Sequence, residues 1–147
     1  MKLSHIEKAL KKGSKMHGFR SGGGLRVIRI EGNGKLKGYG EHPNVEDALS
    51  HANEDLSFGG RIYNAVYGVI KPHYLTGSSH TTSSLDEWLY VGNSFDAFVK
   101  GGEVVVELRG YSRLEGSFDQ VVKTGTGTDF FQALEKAVVS PEVKVAC

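Results

Sequence analysis

Apolar side chains near the start of the chain recur every three or four residues, as they do on the buried face of an amphipathic helix. Ser4 and Glu7 have the spacing of a capping box, in which each side chain bonds to a backbone N–H of the first turn. This pattern predicts a first helix over residues 4–16. Gly13 or Gly18 should end it, because glycine readily adopts the left-handed conformation common at helix C-termini.

Two later segments have the same helical period. Asn44 should cap a second helix, which Gly59-Gly60 should end. Asp129 and Gln132 should cap a last helix, and residues 140–147 are expected to form a frayed tail. We therefore expect helices at both ends of the chain and one between them.

Segments rich in β-branched residues, or alternating between apolar and polar, predict strands. Residues 25–31 and 35–41 flank Gly32-Asn33-Gly34, a turn of residues that tolerate positive φ, and so predict a hairpin. A further strand should cover residues 61–70, and a second hairpin should span roughly residues 103–123. Antiparallel pairing is therefore expected to build most of the sheet.

Two short elements are predicted between these hairpins. Ser84 and Glu87 form another capping box, which indicates a short helix. Ser94 should start one more helical turn, because Phe95 and Phe98 follow it at helical spacing.

The chain also shows an internal echo, in which residues 23–38 and 101–116 share six identities at a constant offset. The shared positions are Gly23/Gly101, Gly24/Gly102, Val27/Val105, Gly32/Gly110, Leu36/Leu114 and Gly38/Gly116. A helix follows each copy, so the sequence predicts a single α+β domain over residues 1–147, made of two ββα units with antiparallel hairpins and helices packed on the sheet. Chance convergence of glycine-rich hairpins is the alternative explanation.

Composition places the chain among ordinary globular proteins, with 147 residues, 39% hydrophobic and 24% charged. It has a single cysteine, Cys147, which excludes an intramolecular disulfide and fits a reducing compartment. No apolar run reaches the length of a membrane span, and the N-terminus lacks the apolar stretch of a secretory signal. We therefore expect a cytoplasmic protein that does not contact membranes.

Charge is divided unevenly along the chain. Residues 1–40 hold 10 Lys/Arg against 2 Asp/Glu, whereas residues 41–147 hold 8 against 15. The basic segment is able to attract phosphates, but equally to dock on the acidic remainder or on a second subunit. The overall charge of +1 argues against binding duplex nucleic acid.

No catalytic, metal or cofactor signature is present. Ser79-His80 lacks the G-x-S-x-G elbow, and the histidines have no neighbouring ligand pattern of a metal site. Gly125-Thr126-Gly127-Thr128 leads from a predicted strand into a helix and is able to hold a phosphate, although an ordinary helix entry explains it as well. We therefore predict no catalytic residues, no metal and no cofactor.

Residues 71–88, K-P-H-Y-L-T-G-S-S-H-T-T-S-S-L-D-E-W, combine hydroxyls, imidazoles and aromatic rings without a core-forming period, which is typical of a binding loop. Arginines near strand ends would add guanidinium forks for phosphate, and solvated strand-end arginines are the alternative reading. Tyr74 or Phe95 would stack on a base, and Asn93 would read its edge. The candidate ligand-binding residues are Arg61, Tyr74, Thr76, Ser78, Ser79, Asn93, Phe95, Arg109 and Arg113.

One family resembles this chain over about residues 20–98. The segments G-Y-G-E, N-V-E-D-A-L-S-H-A-N-E-D, Y-L-T-G-S-S-H and L-D-E-W-L are similar to the first class of Thoeris anti-defence proteins of phages. The resemblance implies a non-catalytic sponge that captures the cyclic ADP-ribose-type signal of a bacterial immune system. It also implies a homo-oligomer, with cyclic oligonucleotides as ligands of a second site.

Three functional hypotheses remain open from the sequence. The first is sequestration of a cyclic nucleotide-derived messenger without turnover. The second is an enzyme that hydrolyses a nucleotide or cyclic phosphodiester, with His73 or His80 as the general acid or base. The third is a structural or protein-interaction module whose divided charge mediates assembly.

Overall fold

A six-stranded antiparallel sheet and four helices make up the part of the chain that the computed structural model describes, residues 3–57, 80–112 and 117–140. The helices are α1 (Ser4–Lys11), α2 (Val45–Ser57), α3 (His80–Tyr90) and α4 (Phe130–Val139). The strands are β1 (Lys15–Arg20), β2 (Arg26–Gly32), β3 (Lys35–His42), β4 (Ser94–Lys100), β5 (Glu103–Ser112) and β6 (Ser117–Gly127). This confirms the predicted α+β fold.

The strands follow the order β3-β2-β1-β4-β5-β6, so that β1 and β4 meet at the centre of the sheet. One face packs on the helices and forms a single core, to which the sheet contributes Met16, Ile28, Ile30, Phe95, Ala97, Val104, Val106 and Leu108. Side chains of the same strands alternate to the opposite face, here called the second face. Its central residues are Lys15, His17, Arg29, Asp96, Glu107 and Arg109.

The helices form one layer on the core face, where α1 contacts α2, α2 contacts α3, and α3 contacts α4. Their buried side chains repeat every three or four residues and complete the core, with Ile6, Leu10, Ala48, Leu49, Ala52, Leu85, Leu89, Phe130, Leu134 and Ala137 fully buried. None of the described helices is both long and apolar enough to cross a membrane.

Both predicted hairpins and two of the predicted helices are confirmed. The first hairpin turns at Asn33 and Gly34, which have φ of +53° and +73°. Such angles are those of a tight primed turn, which matches the twist of the flanking strands. Asn44 Oδ1 accepts from the Asp47 N–H, and Asp129 Oδ1 accepts from the Gln132 N–H, so both helices carry the predicted caps.

The prediction for the first helix is wrong in two respects. The helix ends at Lys11, Gly13 takes a φ of +101°, and the chain continues as β1, which the helical interpretation missed. The capping box does not form either, because the helix begins without a side-chain cap and Glu7 accepts from the Phe130 N–H instead.

The interpretation of residues 84–99 is only partly right: the predicted short helix is present, but its start and the element after it differ. Helix α3 already begins at His80, so Ser84 lies inside it and is not the N-cap. Residues from Ser94 onward form β4 and not a helical turn. Phe95 and Ala97 face the core while Phe98 points away, which is the alternation of a strand. The strand predicted at 61–70 lies outside the described residues.

The two halves of the chain repeat the same order of elements, a helix, three strands and a second helix. Gly24 and Gly102 have φ of +85° and +80° before β2 and β5. A β-bulge interrupts the pairing after Ile30 in the first half and after Leu108 in the second. The internal echo therefore extends to the backbone, although each repeat is a βββα unit preceded by a helix and not the ββα unit that the sequence predicted.

Candidate functional site

The main polar cluster on the second face is built around Asp96, at the centre of the sheet. Its carboxylate lies 2.6 Å from His17 Nδ1, 2.9 Å from Arg109 Nε and 3.6 Å from Lys15 Nζ. The Asp96 side chain is only 8% exposed, whereas the Lys15 and His17 side chains are 53% and 41% exposed. A buried carboxylate thus holds three cationic or titratable side chains that remain accessible to a ligand.

The local strand pattern explains why these groups meet. β1 and β4 pair with His17 opposite Asp96, and β4 and β5 pair with Asp96 opposite Glu107. Because successive side chains alternate between faces, His17 and Asp96 lie on the same side of the sheet. We refer to Lys15, His17, Asp96 and Arg109 as the Asp96 cluster.

The charge state of Asp96 follows from these neighbours. Burial alone would raise the pKa of Asp96, but the hydrogen bond from His17 and the charges of His17, Lys15 and Arg109 together hold its pKa below the usual range. Asp96 is therefore ionised at neutral pH and keeps its neighbours oriented.

This shift predicts how stability depends on acid. A carboxylate whose pKa is lower in the folded than in the unfolded state stabilises the fold at any pH above its unfolded-state pKa. That contribution is lost as the pH falls through the folded-state pKa. The free energy of unfolding should therefore fall less for Asp96→Asn than for the unmodified protein when the pH is lowered below about 4. Urea unfolding of Asp96→Asn and of the unmodified protein, at several pH values from neutral to acidic, measures this difference. Parallel stability curves would contradict the assignment.

Arg109 is the predicted binding residue that the structure places in this cluster. Its Nη2 lies 3.6 Å from Glu107, and its side chain is 28% exposed. The Nε is close enough to Asp96 for an ion pair, yet its buried N–H makes no hydrogen bond with any described group. A buried donor without a hydrogen bond is rare in proteins, and here the adjacent Asp96 carboxylate compensates its charge.

Aromatic rings adjoin the cluster. The rings of His17 and Phe19 have centroids 5.4 Å apart, and Lys15 Nζ lies 5.6 Å from the centroid of Phe98. The second face therefore combines cations with apolar surfaces, as sites for nucleotides do.

Phe95 does not belong to a surface site, contrary to the sequence-based prediction. Its ring is fully buried, packs 6.0 Å from the Phe130 ring and fills the space that Gly18 leaves open. Phe95 is therefore a core residue and cannot stack on a ligand base without unfolding the centre of the sheet. Asn93 also serves packing, because its side chain lies over the Cα of Gly110.

The other predicted binding residues, Arg61, Tyr74, Thr76, Ser78, Ser79 and Arg113, lie outside the described residues, as does His73. His80 is the first residue of α3. Lys15, His17 and Asp96 are members of the site that sequence reasoning missed.

The strand-to-helix segment before α4 is not a free phosphate site. The Phe130 N–H donates to Glu7, the Gln132 N–H donates to Asp129, and the Thr128 N–H donates to Gln132 Oε1. Its glycines have a packing role, since a Cβ on Gly125 would lie 2.2 Å from Ala133 O. The chain's own side chains thus satisfy this helix N-terminus.

Three cations of the basic first quarter form ion pairs within the described part of the molecule. Arg26 pairs with Asp86, Lys15 pairs with Asp96, and Arg29 pairs with Glu31. The first two pairs join the basic segment to the acidic remainder, as one of the sequence interpretations anticipated.

Among the described residues, no group of three or more His, Cys, Asp or Glu side chains is arranged to hold a metal ion. The geometry of the Asp96 cluster instead suits recognition of an anion by pre-oriented cations. Comparison of the chain with models of protein families, with curated proteins and with solved structures finds no match.

Proposed function

We propose that this protein binds a cyclic ADP-ribose-type nucleotide without turning it over, and so sequesters the immune signal of a bacterial host. The observation that carries the proposal is the Asp96 cluster, in which one buried carboxylate holds Lys15, His17 and Arg109 together on the second face. The resemblance of the sequence to phage anti-defence proteins supplies the class of ligand. The proposal includes a homo-oligomer acting in the host cytoplasm.

The cluster supports phosphate recognition through preorganisation. Asp96 fixes the orientation of Arg109 and His17 before a ligand arrives, which lowers the entropic cost of binding. The remaining donors of Arg109 and the Lys15 ammonium are then available for phosphate oxygens. An ionised pyrophosphate would form charge-assisted hydrogen bonds with these donors.

Sequestration also requires slow release, which a protein achieves by burying several parts of the ligand at once. A cyclic ADP-ribose-type molecule presents a pyrophosphate together with the flat, partly apolar rings of its base. Phe19 and Phe98 lie beside the cations of the cluster and would contact such rings. The combination accounts for both charge and shape without a catalytic group.

The test is retention of intact ligand. Purified protein is incubated with isomers of cyclic ADP-ribose, unbound ligand is removed by filtration, the protein is heat-denatured, and the released molecule is identified by mass spectrometry. Arg109→Gln should weaken binding at least about tenfold, because it removes a charge-assisted contact to phosphate. Arg29→Gln is the matched control, since Arg29 lies on the same face but pairs with Glu31.

The outcomes separate the hypotheses. Intact ligand recovered in near-stoichiometric amount, and lost with Arg109→Gln only, supports sequestration. Equal retention by both variants, with unchanged thermal stability, would remove the Asp96 cluster from the proposal. No retained ligand would reject the proposal for this class of nucleotide.

A second function is favoured by one specific contact. His17 Nδ1 is held by the Asp96 carboxylate at 2.6 Å, and Nε2 has no partner among the described residues, which is the arrangement of a carboxylate-oriented general base. Recovery of a cleaved product in the same experiment would favour this function over sequestration. His17 would then be a candidate for the acid–base group beside His73 and His80, which the sequence suggested, and loss of product with His17→Gln would assign the role to it.

A further inference from the structure

A separate cleft of about 700 Å³ lies at one edge of the molecule, away from the Asp96 cluster. The ends of α1 and α2 and the β2–β3 turn enclose it. Ala9 and Leu56 supply an apolar part of its lining, and the polar part consists of His5, Lys8, Lys12, Ser14, Asn33, Lys37 and Ser57. The volume is within the range of small-molecule sites, roughly 300–1,000 Å³.

The charge of this cleft is entirely of one sign. Lys8, Lys12 and Lys37 are exposed, and none forms an ion pair in the described part of the chain. No described residue that lines the cleft is acidic. These lysines differ from Lys15 and Arg26, which are neutralised by carboxylates.

Helix stabilisation explains only part of this arrangement. Lys8 and Lys12 lie in the last turn and at the C-cap of α1, where cations interact favourably with the helix dipole. Lys37 has no such role, because it lies on β3. Lysines from two separate elements therefore converge on the same space, although mutual repulsion disfavours this convergence.

The second half of the chain shows that the scaffold does not need these lysines. Gly92 ends α3 with a φ of +94°, as Gly13 ends α1 with a φ of +101°. Ser14 lies over Gly32 and Asn93 lies over Gly110, so the two glycines have equivalent surroundings. Counted back from these matched glycines, Glu87 and Val91 occupy the places of Lys8 and Lys12. The described part of the same local fold thus forms without lysines at these two positions.

We propose that the cleft is a second anion site, which binds a phosphate-bearing small molecule through Lys8, Lys12 and Lys37. Ammonium groups act as point charges that suit phosphate oxygens from several directions. The Ser14 hydroxyl and the Asn33 amide are further donors at the wall. Gly32 leaves room for the Ser14 hydroxyl, because a Cβ there would lie 2.8 Å from Ser14 Oγ. This site is independent of the Asp96 cluster and of the function proposed for it.

The experiment uses inorganic pyrophosphate as the probe and ADP as a second ligand, with isothermal titration calorimetry of the full chain at physiological salt. Lys12→Gln/Lys37→Gln should weaken pyrophosphate binding at least about tenfold. Lys11→Gln/Lys35→Gln is the matched control, because it also removes one lysine from α1 and one from β3 but leaves the cleft lining intact. Tighter binding of ADP than of pyrophosphate, with the same dependence on Lys12 and Lys37, would support a nucleotide as the ligand.

Two results would overturn the site. One is the absence of pyrophosphate binding to the unmodified protein. The other is an equal loss of affinity in the two double variants, which would indicate a general effect of net charge. Because the Asp96 cluster is also proposed to bind a pyrophosphate, each titration is repeated with Arg109→Gln added. Pyrophosphate binding that survives this change and depends on Lys12 and Lys37 belongs to the cleft, so failure here is distinguishable from failure of the proposed function. Thermal unfolding of each variant establishes that the fold is retained.

Discussion

Asp86→Ala should lower the free energy of unfolding by about 3 kcal/mol, as measured by urea denaturation. Asp86 bonds to Arg26 through both carboxylate oxygens, at 2.9 and 3.3 Å, and its Oδ1 also accepts from the Val45 N–H at the start of α2. The Arg26 side chain is only 9% exposed, so the substitution leaves a buried guanidinium without its counter-charge. The Asp86 side chain is 32% exposed, which keeps the expected loss at the lower end of the range for buried pairs.

Two variants separate the causes of this loss. Asp86→Asn retains an acceptor for the Val45 N–H but removes the negative charge, and should lose less stability than Asp86→Ala. Glu87→Ala is the control, since Glu87 is the exposed neighbour on the same helix. A loss for Asp86→Ala that is no larger than that for Glu87→Ala would show that Arg26 is adequately satisfied by Gly24 O and the Tyr90 ring.

The role of Asp86 has a counterpart in the first half of the chain. Glu7 on α1 accepts from the Phe130 N–H at the start of α4, just as Asp86 on α3 accepts from the Val45 N–H at the start of α2. In each half, a carboxylate on the first helix thus accepts a hydrogen bond from the first backbone N–H of the last helix in the other half. This exchange binds the two repeats together, beyond the pairing of β1 with β4.

Local turn chemistry made parts of the fold predictable. Asn33 and Gly34 have the positive φ that their residue types favour, and so the first hairpin was evident from the sequence. Asp129 and Gln132 likewise form the contacts that their spacing predicts. In each case the structure depends on residues that are close along the chain.

The two central strands were not predictable from their local pattern. Phe95, Phe98 and Val99 recur at helical spacing, which made β4 look like a helical turn. The pattern misleads because Phe98 is only partly buried on the second face, while Phe95 packs on Gly18 of β1 across the sheet. β1 was missed for a related reason, since Gly18 looks like a helix stop but gives space to that ring.

The candidate site depended on the same long-range pairing. His17 and Asp96 are 79 residues apart, and only the pairing of β1 with β4 brings them together. Arg109 was accessible to sequence reasoning because an arginine near a strand end is a general phosphate-binding candidate. Its partners His17 and Asp96 were not predictable, because the sequences of β1 and β4 taken singly do not show that the two strands pair.

The close approach of α2 to β3 leads to the second large prediction. Gly40→Ala should destabilise the fold by about 3 kcal/mol, because the added Cβ would lie 2.0 Å from Ala48 O and 2.6 Å from Ala52 N. Both atoms belong to the helix backbone, so no side chain is able to move aside. The helix must shift away from the sheet and lose contacts of its buried face.

Gly125→Ala should have a similar effect, and this equality tests the relation between the two halves. A Cβ on Gly125 would lie 2.2 Å from both Ala133 O and Ala137 N, and so repeats the surroundings of Gly40 on the other edge of the sheet. Gly22→Ala is the control, since a Cβ there meets nothing within 4 Å. This variant should change the free energy of unfolding by less than about 0.5 kcal/mol. A large loss at Gly40 with none at Gly125, measured by urea denaturation, would mean that the repeats do not pack alike. Two equal losses would show that each half depends on the same helix-to-strand contact.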